Sequence, residues 1–261
     1  MQIEGSVVFI TGGGAGIGAA MAKRFSEAGP EAIIVADTDI RAADAVAASI
    51  DGHAVHLDVA DAAQTHEVLT RILERFGRID LLCLNAGVAT GGTVEAPDED
   101  WQRAWEINVM AHVSSLRVVL PSMLAHGSGH ILVTASAAGL LTNIGAAPYS
   151  VTKHGAVALA EWVAVTYGER GIGVSCLCPQ FVDTAMLGGF DEFDEAMRAW
   201  VGNIAISVED VAESVVGGLT EDRFLILPHP EVAAYLQHKV TDREGWILQM
   251  QELQKTLRYE P

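Results

Sequence analysis

The sequence predicts an α/β fold built on one open, doubly wound parallel sheet of about seven strands with helices on both faces. Three observations predict it. Apolar runs of strand length alternate with amphipathic segments of helical period along most of the chain. Most of those runs are apolar throughout, as parallel strands covered on both faces require. The first run also ends in a glycine cluster that opens a helical segment, and strand–helix repetition of this kind implies right-handed crossovers.

In chain order the predicted strands are Ser6–Thr11, Ala32–Ala36, Ala54–Leu57, Ile79–Leu84, His130–Ala135, Ile172–Cys178 and Phe224–Leu227. The helical segments between them are Ile17–Gly29, Asp39–Ser49, Asp61–Phe76, Asp98–His126, Tyr149–Glu169 and Val208–Leu219. Residues 185–206 break the rhythm, because Met186, Leu187, Phe190, Phe193, Met197 and Trp200 interleave with Asp191, Glu192, Asp194 and Glu195. That pattern reads either as a surface helix packing one apolar side or as a lid over a ligand site. Beyond Leu227, Trp246, Ile247, Met250 and Leu253 at helical spacing predict a helical extension over about 229–261, against the lid or a neighbouring subunit. No stretch before residue 228 reads as a linker, so residues 1–261 are expected to form a single domain.

Sixteen Lys and Arg stand against 34 Asp and Glu, a formal net charge of −18. Such a surface repels a phosphate backbone, which excludes nucleic acid as the expected partner. Half the residues are apolar and 19% are charged, enough for a real core and against a disordered chain. No uninterrupted apolar run approaches the roughly 18–20 residues of a membrane helix, and Met1–Gly5 lacks the pattern of a secretion signal. The expectation is a cytoplasmic protein with no membrane partner. The cysteines are Cys83, Cys176 and Cys178, an odd number that argues against a disulfide framework. Cys176 and Cys178 share one strand face and lack the spacing and partners of a zinc site, so no metal is expected.

The first strand runs into Thr11-Gly12-Gly13-Gly14-Ala15-Gly16-Ile17-Gly18. Gly12, Gly14, Gly16 and Gly18 let the backbone turn tightly and approach a ligand, and the helix opening near Ile17 offers free N–H groups to a pyrophosphate. Position makes the cluster informative, since it follows the first strand and opens a helix. The second strand ends at Asp37, whose carboxylate suits the adenosine ribose hydroxyls and repels a 2′-phosphate. With no Lys or Arg in the glycine turn, the expected cofactor is NAD rather than NADP. The other reading of Asp37 is an N-cap for the helix from Asp39. Asp58-Val59 after the third strand and Asn85-Ala86-Gly87 after the fourth fit the same sheet edge, though both are also common turn sequences.

Ser136 closes the fifth strand, and Tyr149 and Lys153 follow as an i, i+4 pair that shares one helix face. Taken with Thr11-Gly12-x-x-x-Gly16-x-Gly18, Asn85-Ala86-Gly87, Asn108 and Pro179 through Thr184, these residues resemble the short-chain dehydrogenases/reductases, in family order and spacing. The resemblance implies a Rossmann-type fold, a nicotinamide cofactor, and oxidation of alcohols or reduction of ketones. It implies Tyr149 as the acid/base, Ser136 as hydrogen-bond partner of the substrate oxygen, and Lys153 as holder of the nicotinamide ribose. It further implies Asn108 as holder of a relay water, and Pro179, Val182 and Thr184 at the nicotinamide. Gln180 departs from the family's Pro-Gly and adds a polar side chain on the substrate side.

Elementary electrostatics says why the pair is useful. A phenol with a pKa of about 10 needs about 3.4 kcal/mol to ionise near pH 7.5. An ammonium about 5 Å away at an effective dielectric near 20 supplies about 3 kcal/mol, so Lys153 is expected to be nearly sufficient. The expected pocket wall combines Ala138, Leu140, Leu141, Asn143, Ile144, Gln180 and Phe181 with few charges, suiting a bulky apolar secondary alcohol or ketone, whether steroid-like, cyclic or aryl. The rival from another class is a catalytically idle NAD-binding sensor or scaffold, which has no need of Ser136, Tyr149, Lys153 and Asn108 together. The family commonly assembles through its two long central helices, which implies a homotetramer or, failing that, a dimer. Gly155, Ala156, Ala160 and Ala164 are expected to let the second helix pack closely.

Overall fold

The computed structural model describes residues 1–186, 201–202 and 204–256. Most of the expected lid therefore lies outside the described residues. Seven parallel strands form one sheet in the order β3-β2-β1-β4-β5-β6-β7. They are β1 (Val7–Thr11), β2 (Ala32–Asp37), β3 (His53–His56), β4 (Leu81–Leu84), β5 (Gly129–Thr134), β6 (Ile172–Leu177) and β7 (Leu225–Ile226). Each begins or ends within two residues of its expected position, and β7 shrinks to two residues at the sheet edge. The chain leaves β1 towards β2 and β3, then crosses back to place β4 on the other side of β1. That reversal opens a crevice at the strands' C-terminal ends.

Strand side chains alternate between two cores. Val7 and Phe9 of β1 belong to one cluster with α3 (Ala62–Phe76), α5 (Ala111–His126) and α6 (Ala147–Tyr167). Val8 and Ile10 belong to the other, with α1 (Gly16–Ser26), α2 (Ile40–Ser49) and α7 (Val208–Thr220). Both faces of β1 and β4 are wholly buried, which is why their sequences are apolar throughout. Caps fix where the helices begin. Asp39 accepts from the Arg41 and Ala42 amides, and Asp61 from those of Ala63 and Gln64. Each such cap is worth about 1 kcal/mol. Asp39, not Asp37, caps α2, which leaves the Asp37 side chain available to the crevice.

The expected single helix over 98–126 is α4 (Asp98–Trp105), a π-helical stretch over Glu106–Met110, and α5. A π bulge of this kind shifts the helix register locally and is frequent at functional sites; here it contains Asn108, which is fully buried. An 18-residue window of the combined helix reaches a mean hydropathy of 1.3, although 44% of that window is buried inside the protein. Its apolar residues Ala111, Leu116, Val119 and Met123 sit in the core beneath β4 and β5.

The contacts within the chain account for the small residues of α6 and for part of the C-terminal extension. Ala156 and Ala160 of α6 are buried in the chain's own core, and Gly155 lies against Val109 and Trp105, so these small residues serve internal packing. The face left exposed on α6 is Val151, Trp162 and Val165, spaced at helical turns, with Trp105 also partly exposed. The C-terminal extension forms α8 (Glu231–Thr241) and α9 (Arg243–Thr256). It docks on its own chain through buried Val232, Lys239 and Trp246, while Tyr235, Val240, Ile247 and Leu248 remain exposed. Cys176 and Cys178 sit together in the core with Sγ atoms 3.7 Å apart, and all three cysteines are free.

Candidate active site

A cleft of about 850 Å³ opens along the C-terminal ends of the strands at the β1/β4 reversal. One end of it is built by the turn after β1. Gly12 and Gly16 have φ of +61° and +52°, a region that favours glycine, and a Cβ on Gly12 would come within 2.9 Å of the Ala86 backbone. Ala15, the N-cap of α1, supplies no side-chain oxygen, so the first-turn N–H groups are left for a ligand. Ala15, Gly16 and Ile17 line the cleft there. An uncapped helix start behind a left-handed glycine turn is the donor set an anionic pyrophosphate needs.

Gly14 and Gly18 were also expected to touch the cofactor, but neither lies on the cleft wall. Gly18 stands behind it, where a Cβ would collide with the Gly12 carbonyl at 2.1 Å; it is glycine so that helix and turn can close. Gly14 instead donates its N–H to Asp37 Oδ2 at 2.9 Å, aiming the carboxylate along the wall. Asp37 Oδ1 accepts from the Asp39 amide at 3.0 Å. Asp58, Val59, Asn85, Ala86 and Gly87 all line the cleft beside it. Asn85 is also a brace, its Nδ2 donating to the Thr11 and Gly12 carbonyls and its Oδ1 accepting from Thr134.

At the other end, β5 and β6 deliver Ser136 and Pro179 side by side, with the Ala137 amide donating to the Pro179 carbonyl and Ser136 Oγ 3.4 Å from the same oxygen. Tyr149 and Lys153 lie one turn apart on α6, with Lys153 Nζ 5.7 Å from the centre of the Tyr149 ring. The Ser136 hydroxyl is near enough to the phenol to pull its pKa down. Lys153 Nζ is buried and donates to the Thr134 carbonyl at 3.0 Å. Ser136, Tyr149, Lys153, Pro179, Val182 and Thr184 all face the cleft. Asn108 does not: its Oδ1 accepts from the Val88 amide, and its Nδ2 donates to the Val88 carbonyl and to Thr152 Oγ1. Its side chain is committed to holding the loop after β4 against α6.

A family model described as short chain dehydrogenase matches residues 6–195. The chain belongs to the short-chain dehydrogenase/reductase family. It is 37% identical over 231 residues to meso-2,3-butanediol dehydrogenase of Serratia marcescens, covering 85% of this chain and 90% of that one. It is 32% identical over 253 residues to 1-deoxy-11-beta-hydroxypentalenate dehydrogenase of Streptomyces exfoliatus, covering 93% and 90%. Among solved structures it resembles a short-chain dehydrogenase/reductase from Burkholderia phymatum in complex with NAD, with 32% identity, a TM-score of 0.82, and coverage of 94% and 96%.

The electrostatics of this short-chain dehydrogenase/reductase correct one expectation. Lys153 does not offset the burial of the phenol. Burial raises the Tyr149 pKa above its ordinary value, with the Ser136 hydrogen bond pulling the other way. Burial likewise lowers Lys153 to about 8. The reason is desolvation: taking the phenolate and the ammonium out of water opposes the mutual attraction of the two charges.

The substrate-side wall is also partly redrawn. Ala138, Leu141, Asn143, Gln180 and Phe181 line the cleft, with Ala185 and Met186; Leu140 and Ile144 do not. Leu140 packs towards the core, and its carbonyl accepts from Lys239 Nζ at 2.7 Å. Lys239 also reaches the Leu141 carbonyl at 2.5 Å and lies 5.0 Å over Trp246, so α8 clamps the loop behind Ser136. Nothing local in the sequence signals a contact that spans so many residues. The expected scarcity of charge needs amending, because Glu99, Arg103 and Glu106 of the α4 stretch line the cleft. Their spacing of three and four was a legible signal of one helix face.

Proposed function

We propose that the chain is an NAD-dependent alcohol dehydrogenase/ketone reductase acting on an uncharged secondary alcohol. The observation that carries this is the convergence of Ser136, Tyr149 and Lys153 at one end of a cleft whose other end is the glycine turn with Asp37. The relatives are named for alcohols of quite different size, so the reaction type transfers more readily than the substrate. The bound cofactor would supply the hydride acceptor and, when oxidised, a positive ring beside the phenol.

The chain's own residues handle the proton and the geometry. Ser136 donates to the substrate oxygen and fixes the carbinol next to Tyr149. Tyr149 takes the hydroxyl proton in oxidation and returns it in reduction. Lys153, protonated near neutral pH, favours the phenolate and holds the nicotinamide ribose. Gly12, Gly16 and Ile17 cradle the pyrophosphate, with Gly14 and Gly18 shaping the turn from behind. Asp37 accepts from the ribose hydroxyls; Asp58, Val59, Asn85, Ala86 and Gly87 frame the adenosine side, and Pro179, Val182 and Thr184 the nicotinamide. Asn108 supports the proton path as a brace. The exposed Val151, Trp162, Val165 and Trp105 face is where a second copy would pack; the assembly is read as a homotetramer or, failing that, a dimer, and the location as the cytoplasm.

A panel of secondary alcohols assayed for NADH formation at 340 nm tests the activity. Tight NAD binding with no turnover of any of them would establish the idle sensor instead. Equilibrium titration tests the cofactor: NAD is expected to bind more tightly than NADP, and Asp37→Ala to narrow that difference at least tenfold. Tighter NADP binding by the native chain refutes the assignment.

A further inference from the structure

Pro179 brings Gln180 to the substrate end of the cleft, where it is part of the wall. Its backbone is pinned, since the Gln180 N–H donates to His229 Nδ1 at 3.2 Å. His229 is itself buried, and its Nε2 lies 3.0 Å from the Phe181 carbonyl. With Nδ1 accepting, Nε2 carries the proton and donates. One histidine thus holds the peptide units on either side of the Gln180–Phe181 pair, which restricts where the side chain of Gln180 starts.

The side-chain oxygen is unsatisfied. Gln180 Oε1 is buried and, among the described residues, has no hydrogen-bond partner. Buried polar atoms are almost always paired, because an unpaired one forfeits its water without return. A side-chain amide offers both an acceptor and donors, and rotation about its last bond can exchange them. What the acceptor lacks here is a donor, and because Gln180 is part of the cleft wall, a turn of its side chain would bring the amide to one supplied by a ligand.

We propose that Gln180 is a specificity-determining residue that hydrogen-bonds a second hydroxyl on the substrate, making a diol, or in reduction a hydroxyketone, the preferred class. The inference rests on the reading of this cleft as an alcohol dehydrogenase site. Ser136 and Gln180 are tied through one carbonyl: Ser136 Oγ lies 3.4 Å from the oxygen of Pro179, the residue directly before Gln180. That link sets Gln180 beside a carbinol held by Ser136, so the second hydroxyl is expected on a carbon close to the carbinol. The bond breaking stays at the carbinol held by Ser136 and Tyr149; Gln180 only orients the substrate. An apolar substrate in the same pose leaves the amide oxygen unpaired, and sites built for a hydroxyl discriminate strongly against analogues that lack it.

The test uses matched pairs with the full-length protein and NAD: 2,3-butanediol against 2-butanol, and 1,2-cyclohexanediol against cyclohexanol. The native chain is expected to favour the diols at least tenfold in kcat/KM. Gln180→Leu and the near-isosteric Gln180→Met are each expected to cut that ratio about tenfold, while NAD affinity stays within twofold. Far-UV circular dichroism identifies any variant that fails to fold, and the native ratio stands as a test independent of both variants. A native ratio near one, or a ratio unmoved in the folded variants, overturns the inference. A rise in the NAD dissociation constant with the ratio intact also overturns it, assigning the amide to the cofactor. Turnover of neither member of either pair by the native chain overturns the underlying dehydrogenase reading, an outcome distinct from turnover without preference.

Discussion

Replacing Lys153 with Met should make the cofactor-free protein more stable while destroying its activity. Burial lowers the lysine from 10.5 to about 8. At about 1.36 kcal/mol per pH unit, that drop means the native state pays about 3 kcal/mol at pH 7 to keep the charged ammonium. Methionine removes that cost and fills a similar volume. Against it stands the lost hydrogen bond to the Thr134 carbonyl, worth about 1–1.5 kcal/mol. The net is a gain of about 2 kcal/mol, or roughly 4–8 °C in Tm for a chain of this size. Denaturant unfolding followed by circular dichroism measures it. The sign with pH is a second check. Between about 8 and 10.5 the unfolded chain binds more protons at this position than the native one, so native-chain stability rises with pH there and the variant's advantage shrinks. A variant less stable at pH 7, or an advantage constant from pH 7 to 10, refutes the burial argument.

Other substitutions probe separate parts of the same reasoning. Tyr149→Phe removes the hydroxyl positioned to exchange a proton with the substrate. Its kcat is expected to fall by about 10²–10⁴ with NAD affinity within twofold, and stopped-flow hydride transfer at a near-native rate would exclude the residue as acid/base. His112 is buried with an Nε2 that has no partner among the described residues, and burial followed by the Lys153 charge lowers it to about 3. It stays neutral in the fold, so stability contributed above pH 6.5 is lost as the pH falls towards 3; His112→Phe should flatten acid unfolding across that window. Lys239→Met leaves the Leu140 and Leu141 carbonyls without their clamp. A loss of about 1–3 kcal/mol is expected, with hydrogen exchange rising in 139–146 and 231–256 together rather than across the sheet.

What the sequence made legible was whatever is encoded locally. The glycine turn after β1 announces itself because left-handed backbone at Gly12 and Gly16 restricts the residue type, and the Tyr149–Lys153 pair because helical period puts them on one face. Strand positions followed from burial on both faces. What the sequence did not show has another cause: it depends on partners far along the chain. Asn108 is a brace because Val88 and Thr152 surround it, and Gly18 is glycine because Gly12 lies above it. Lys239 is a clamp because α8 folds back on residues 140 and 141. The small residues of α6 could serve either an inner or an outer contact, and only the position of the sheet decides for Ala156 and Ala160.

The same distinction governs the ionisation of Tyr149 and, through it, the direction of catalysis. Spacing gives the distance between Tyr149 and Lys153, hence an attraction of about 3 kcal/mol. It does not give the burial that raises the one and lowers the other. With Lys153 alone insufficient, the phenol of the resting protein keeps its proton at neutral pH. Proton uptake from a substrate then requires a further positive charge or a higher pH. The oxidative direction should therefore gain steeply with pH while the reductive direction, which needs Tyr149 as an acid, should not. Parallel pH profiles of kcat for NAD-linked oxidation and NADH-linked reduction measure this; an oxidation rate flat from pH 6 to 9, with hydride transfer rate-limiting, would show a phenol already ionised and would overturn the role assigned to burial.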